Sequence, residues 1–325
     1  CYIMCLMRNN PAVPCALLAL WILFACDAHP ETFGKMWPEI PKGWYFHAPH
    51  DAAADGKGNV YVSDTGNYRV LKFNRRGRLL AQWGSRGGGP GEFEMPDRIA
   101  ADGAGHVYVV DSELCRVQKF DENGKFMLAW GDAKLFGKPD GAAADLKGNV
   151  YVIDSGRSRV MKFDSRGKQL LKWGSEGKGP GQFRSPCGVA LDAEGNVYVA
   201  DSKNSRVQKF SPAGKFLFKW GAFHGGNDQM TFPDGVAVSR IGTVFVTDSD
   251  FHGVKKYGKN GEYILRWKVF NIPHGLTVDA DGMVYTVDPD SHMIQKFRGT
   301  NGRYVAEWRS GGSGSGWFEL PHGIA

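Results

Sequence analysis

Four of the nine histidines interrupt an otherwise regular pattern. His50 and His274 directly follow prolines, in Pro49-His50-Asp51 and Pro273-His274-Gly275, and Pro321-His322-Gly323 repeats the arrangement. His252 and His292 stand just before Gly253 and Met293, where the matching segments carry Arg69, Arg116, Arg159 and Arg206. Neutral imidazoles that converge on one point can hold zinc or another transition metal. The plain alternative is a set of loop histidines with no shared ligand. His47 is a further candidate ligand, whereas His29, His106 and His224 stand outside the pattern. The other residues at or next to the after-proline position are Asp51, Asp97, Arg98, Asp140, Cys187 and Asp234, which make the candidate binding set. A thiol enzyme built on Cys187 would need an adjacent base, and none stands beside it in sequence. These residues fix no cofactor. Zinc is the first candidate and calcium the second, although turns such as 145–149 lack the several spaced oxygens that calcium needs.

Such residues need elements to position them, and those elements are repeated. Proline recurs at 49, 96, 139, 186, 233, 273 and 321, in steps of 47, 43, 47, 47, 40 and 48 residues. Tryptophan recurs in the same phase at 83, 130, 173, 220, 267 and 308. Each unit reads as four short strands. In the first they are Ala52–Ala54, Val60–Val62, Arg69–Phe73 and Leu79–Trp83, separated by turns such as Asp55-Gly56-Lys57-Gly58-Asn59. Alternating apolar residues and β-branched side chains argue for strands, and the Gly-rich spacers for hairpins. A period of 40 to 48 residues with four strands is that of a propeller blade. The fold class is therefore all-β, a six-bladed propeller of four antiparallel strands per blade. Blades start near 49, 96, 139, 186, 233 and 273. Residues 31–37 are expected to supply a ring-closing outer strand, and 321–325 a partial extra repeat, which leaves seven blades as the alternative in a longer parent chain.

Three segments resemble the NHL repeat family: Pro186-Cys187-Gly188-Val189-Ala190-Leu191-Asp192, Gly195-Asn196-Val197-Tyr198-Val199-Ala200-Asp201 and Ser205-Arg206-Val207-Gln208-Lys209-Phe210. The Gly-rich loop 84–93 belongs to the same pattern. The resemblance covers 49–325 and implies the six-bladed fold, but a fold does not imply a function.

Features shared by every blade read as scaffold, and departures from the repeat as candidates for function. By that test Asp64, Asp111, Asp154, Asp201, Asp248 and Asp288 are scaffold, and the four arginines five residues later cap their loops. Strand alternation puts the after-proline residues and the loops between second and third strands on one face. Blades 1, 5 and 6 carry the four histidines there. The short loops 131–138 and 268–273 lie opposite each other in a six-blade ring and suggest a trough for an extended peptide or polymer.

Residues 1–30 read as a signal peptide or a lipoprotein or membrane anchor. Met7-Arg8 would begin it, the apolar run 11–26 is short for a membrane span, and Leu23-Phe24-Ala25-Cys26 resembles a lipobox. Residues 31–325 form the propeller, placed outside the cytoplasm and, if anchored, tethered to a membrane. The net charge is +6, with Lys and Arg spread along the chain, so the sequence shows no clustered basic face. Nucleic acid is not an expected partner, since the export signal and Asp97, Asp140 and Asp234 at the channel both oppose it.

Two functions follow. The first is a non-catalytic binding scaffold whose loop face takes a protein, peptide or polymer. The second rests on similarity to the peptidyl-α-hydroxyglycine α-amidating lyases, which implies a zinc ion held by histidines of Pro-His motifs, here His50 and His274. Zinc would then serve as a Lewis acid in a metal-dependent C–N lyase. This chain departs from that pattern. The family's histidines come from alternate blades, whereas His50 and His274 fall in adjacent ones. Asp140 and Cys187 occupy positions where a histidine is wanted. The loop 201–206 lacks the family's tyrosine, and Tyr68 stands at another offset.

Overall fold

The structure is a computed structural model that describes residues 45–223, 229–269 and 271–309. The signal or anchor segment, the ring-closing strand expected at 31–37, the extra repeat at 321–325, and His29, His224 and His322 lie outside the described residues. Among those residues no helix is long and apolar enough to cross a membrane.

The described chain forms six four-stranded antiparallel sheets, each built from consecutive strands. Blade 1 comprises β1 (Pro49–Ala54), β2 (Val60–Asp64), β3 (Arg69–Phe73) and β4 (Leu79–Trp83). Blade 2 comprises β5 (Pro96–Ala101), β6 (Val107–Asp111), β7 (Arg116–Phe120) and β8 (Phe126–Trp130). Blade 3 runs through β9 (Pro139–Ala144), β10 (Val150–Asp154), β11 (Arg159–Phe163) and β12 (Gln169–Trp173). In blade 4 the strands are β13 (Pro186–Leu191), β14 (Val197–Asp201), β15 (Arg206–Phe210) and β16 (Phe216–Trp220). Blade 5 has β17 (Pro233–Val238), β18 (Val244–Asp248), β19 (Gly253–Tyr257) and β20 (Tyr263–Lys268). Blade 6 has β21 (Leu276–Val278), β22 (Met283–Asp288), β23 (Met293–Arg298) and β24 (Tyr304–Arg309).

Burial follows a strand's place in its blade. The second strands are buried along their whole length in blades 1 to 5, because both faces of each sheet meet a neighbouring sheet. The outer strands alternate half-buried and exposed residues. Each outer tryptophan reaches over the next blade. Trp83 stacks on Phe120, Trp130 on Phe163, Trp173 on Phe210, Trp220 on Tyr257 and Trp267 on Phe297, with ring centroids 5.8–6.0 Å apart. Trp308 on Phe73, at 6.1 Å, closes the ring from blade 6 to blade 1. The indoles lie over turn glycines held at positive φ, such as Gly124, where an added Cβ would sit 2.5 Å from Trp83. Only glycine fits there, since the backbone is left-handed and the space above it is filled.

One irregularity recurs where it matters for function. In blades 1 to 5 the register between first and second strands slips just after the proline. The unpaired residues include His50, Asp97, Asp140, Cys187 and Asp234. A bulge of this kind re-aims a side chain. In blade 6 the first strand starts late, at Leu276, and Pro273-His274 precedes it as irregular chain.

Candidate functional site

The six first strands line a central channel, and a cavity of about 200 Å³ runs between them. Most of its lining is alanine, glycine and valine from the inner strands, with Asp51 and Arg98 among the few charged groups. The bulged residues gather at the mouth of this channel, on the loop-bearing face.

Arg98 dominates the mouth. Its Nη2 donates to Asp234 Oδ1 at 3.0 Å and approaches Asp140 Oδ1 at 3.4 Å. Its side chain is only 5% exposed. Blades 2 and 5 stand opposite each other in a six-blade ring, so the Arg98–Asp234 bond spans the channel. Burial opposes the guanidinium charge, but Asp234, Asp140 and Asp51 outweigh it and hold the group protonated. Burial likewise works to raise the Asp234 carboxyl. Arg98, His274 and His50 overcome that and keep it below the ordinary carboxylate range.

His274 Nδ1 lies 3.4 Å from the other Asp234 oxygen. The His50 ring stands edge-on to His274, with centroids 5.1 Å apart. Burial, reinforced by the nearby Arg98 charge, pushes His50 down to about 3, so its imidazole is neutral at physiological pH. Its Nδ1 is buried without a hydrogen-bond partner, as are Arg98 Nε and Asp97 Oδ1.

Two further carboxyls are shifted upward. Burial raises Asp51 to about 7, although its oxygens accept the backbone N–H groups of Ala52 at 2.9 Å and Ile99 at 3.2 Å. Burial also raises Asp97 to about 6, while Ser112 donates to its Oδ2. Cys187 completes the ring. Its sulfur accepts from Ser202 Oγ at 3.2 Å, and burial pushes the thiol up to about 12. A thiol so shifted is not an available nucleophile at neutral pH.

The bulges are held by the aspartate that ends each second strand, and in blades 1, 3 and 4 an arginine completes the motif. The aspartate ending the second strand accepts N–H groups from the loop that leads into its own blade. Asp64 takes His47 N, Asp154 takes Gly137 N and Lys138 N, and Asp201 takes Arg184 N. The arginine five residues on then binds the other carboxylate oxygen, at 2.7 Å from Arg69 and Arg206 and 2.9 Å from Arg159. The NHL repeat profile matches residues 46–73 and 183–210, two segments that include this Asp–Arg clasp.

The chain carries NHL repeats. No curated protein sequence matches it. Solved structures with the same fold include a streptogramin B lyase, 13% identical, covering 83% of this chain and 86% of that one with a TM-score of 0.60. A chain of a nidogen/laminin complex is 14% identical, covering 78% and 93% with a TM-score of 0.61. A gluconolactonase from Xanthomonas campestris is 16% identical, covering 75% and 85% with a TM-score of 0.59. At these identities the likeness concerns the fold alone.

Within the ring, the histidines fall into separate groups. His50 and His274 meet at the mouth. His252 and His292 occupy the left-handed position of the loop after the second strand, with φ of 52° and 51°. Tyr68, Cys115, Ser158 and Ser205 hold that position in the other blades. His252 Nδ1 donates to Asn271 O at 2.7 Å, just as Ser205 Oγ donates to Thr231 O at 3.0 Å. His292 Nδ1 accepts from Ala48 N at 2.8 Å, and its ring is 5.5 Å from His47. Both side chains therefore clasp the loop leading into the next blade. Among the described residues no three His, Cys, Asp or Glu side chains converge as metal ligands. The histidine-bearing group at the mouth is His50, His274 and Asp234. They do not fit zinc as arranged, because the Arg98 guanidinium already takes the Asp234 charge.

Some residues escaped the sequence reading. Lys255 replaces the missing arginine of blade 5, with its Nζ on Asp248 and on Gln229 O. Gly253 at the arginine position signals the gap but not the substitute. His106 takes the place of the turn asparagine, with Nδ1 2.8 Å from Asp102 Oδ2. Arg98 was visible as a departure from the repeat, but its span across the ring was not.

Proposed function

We propose that this chain is a non-catalytic binding scaffold, exported from the cytoplasm, that presents its loop face to a protein or peptide. The observation that carries this reading is the Arg98–Asp234 bond across the channel, buttressed by Asp140. It spans the mouth with a fixed ion pair and commits Asp234 and Asp140, two carboxylates that would otherwise be open to a metal. The neutral His50 and the undissociated Cys187 thiol point the same way. A rigid ring with loops of unequal length on one face is suited to recognition. Peptide display against the purified propeller tests the reading. Binders that compete with one another and are lost on loop-face substitutions support it, and a panel that yields none overturns it.

A second reading is a metal-dependent lyase-like enzyme, favoured by the unpartnered Nδ1 of His50 beside His274. It requires Arg98 to leave Asp234. One equivalent of zinc bound by the native protein and lost in the His50→Ala, His274→Ala variant would favour it over the scaffold.

A further inference from the structure

Lys and Arg are dispersed in sequence, but the fold collects a group of them. The loops leading into and lying within blades 3 and 4 carry six exposed basic residues: Lys134, Lys138, Arg157, Lys178, Arg184 and Lys203. They hold two acids, Asp132 and Glu176. Among the described loop residues of the other blades on this face the balance reverses. Glu92, Glu94, Glu113, Asp250 and Asp290 stand against Arg86, which is paired with Glu94 at 3.2 Å, and Lys268. One face of the ring is thus basic over two adjacent blades and acidic elsewhere.

The basic sector is largely uncompensated. Lys138 approaches Asp140 at 3.8 Å, but no ion pair to the other five is present among the described residues. Arg157 instead donates to the backbone carbonyls of Lys134 and Leu135, at 3.0 and 2.6 Å, which fixes its position without neutralising it. Beside it opens a cleft of about 430 Å³ lined by Arg157, Arg159, Lys172, Trp173 and Glu176, with Gly174 and Ser175 at its edge. Arg159 is committed to Asp154 at 2.9 Å, so Arg157 and Lys172 are the cations left to meet a ligand.

We propose that this sector is a docking site for an acidic peptide segment, with the cleft receiving one of its carboxylates. The proposal rests on the scaffold reading and names the partner's chemistry. Like charges do not gather on one side of a face without an electrostatic cost unless an opposite charge meets them. Glu176 lies in the cleft itself, and Asp132 belongs to the loop that carries Lys134 and Lys138. A continuous polyanion, charged at every unit, would meet both. A peptide whose acids are separated by neutral residues can avoid them.

The test is fluorescence anisotropy with a labelled peptide of alternating Glu and Ser, using the native propeller in dilute buffer. Binding should weaken as salt rises. Reversing two unclasped charges, Lys178→Glu with Lys203→Glu, should weaken it about tenfold or more, and Lys172→Glu should weaken it separately through the cleft. Lys147→Glu, on the opposite face, should leave it unchanged. Circular dichroism confirms that the variants fold. Absence of binding, or binding indifferent to these reversals, overturns the proposal. So does tighter binding of dextran sulfate that the same reversals abolish, which would mark a polyanion site. Display of random peptides on the same protein separates the two levels. Enrichment of only neutral or basic loop-face binders sinks this inference alone, and enrichment of none sinks the scaffold reading beneath it.

Discussion

Arg98 of blade 2 reaches across the channel to Asp234 of blade 5, Nη2 to Oδ1 at 3.0 Å, with both side chains less than a tenth exposed. The bond links opposite sides of the ring, whereas hydrogen bonds such as Ala48 N to His292 Nδ1 join neighbouring blades. It therefore sets both the stability of the mouth and what the mouth can do.

Removing one member leaves the other charges buried and uncompensated. Arg98→Ala should cost about 3–5 kcal/mol in urea unfolding. Arg98→Met with Asp234→Leu should recover much of that loss, because no lone charge remains on that axis. A loss in the double variant equal to the sum of the Arg98→Met and Asp234→Leu losses would show that the pair is not a unit.

His50 makes stability depend on acid. Its folded value of about 3 lies below the ordinary 6.5, so between the two the unfolded chain binds more protons. Its contribution is complete above 6.5 and is lost as pH falls toward 3. His50→Gln should flatten the stability profile in this window. An imidazole NMR resonance for His50 that titrates near 6.5 in the folded protein would contradict the assignment.

Asp51 acts in the opposite sense. Its folded value of about 7 stands above the ordinary 3.8, so the folded state holds the proton longer. Stability from this group is complete below 3.8 and falls as pH rises through 7. Asp51→Asn should make the protein less sensitive to pH between 3.8 and about 7. Chemical denaturation across that range measures it, and an unchanged slope would count against a buried, protonated Asp51.

The turn below the second strand offers an internal comparison. In blades 1, 2, 4 and 6 a tyrosine hydroxyl donates to the turn aspartate, as Tyr285 does to Asp279 at 2.8 Å. Blade 5 has Ser239 and Phe245 at these positions, both partners changed together. Ser239→Asp with Phe245→Tyr should show a favourable coupling of about 1 kcal/mol in a double-mutant cycle. Zero coupling would mean that the hydroxyl–carboxylate bond does not contribute.

Glycines under the tryptophans separate strain from packing. Gly91 and Gly124 both have positive φ, at 79° and 85°, but a Cβ at Gly91 would meet open space. Gly91→Ala should cost about 1–2 kcal/mol from backbone strain alone. Gly124→Ala should cost about 1–3 kcal/mol more, from overpacking against Trp83. Equal losses in thermal melts would remove the packing role.

The sequence alone determined the blades. Proline and tryptophan kept in phase, alternating strands and Gly-rich turns are local signals, and each blade is a local unit whose strands are consecutive in the chain. The roles of Asp64 and Arg69 were legible for the same reason, since they lie five residues apart and bond to each other. The site was only partly legible. The after-proline residues were legible as one set, because their position repeats. What each does there depends on partners far apart in sequence. Arg98 meets Asp234 across 136 residues, and His292 meets Ala48 across 244. Those pairings follow from ring closure and from which rotamers reach across it, and no periodicity encodes either. Hence tertiary structure alone decided that His252 and His292 clasp loops, that Arg98 bars the channel, and that scattered lysines of blades 3 and 4 share one side of a face.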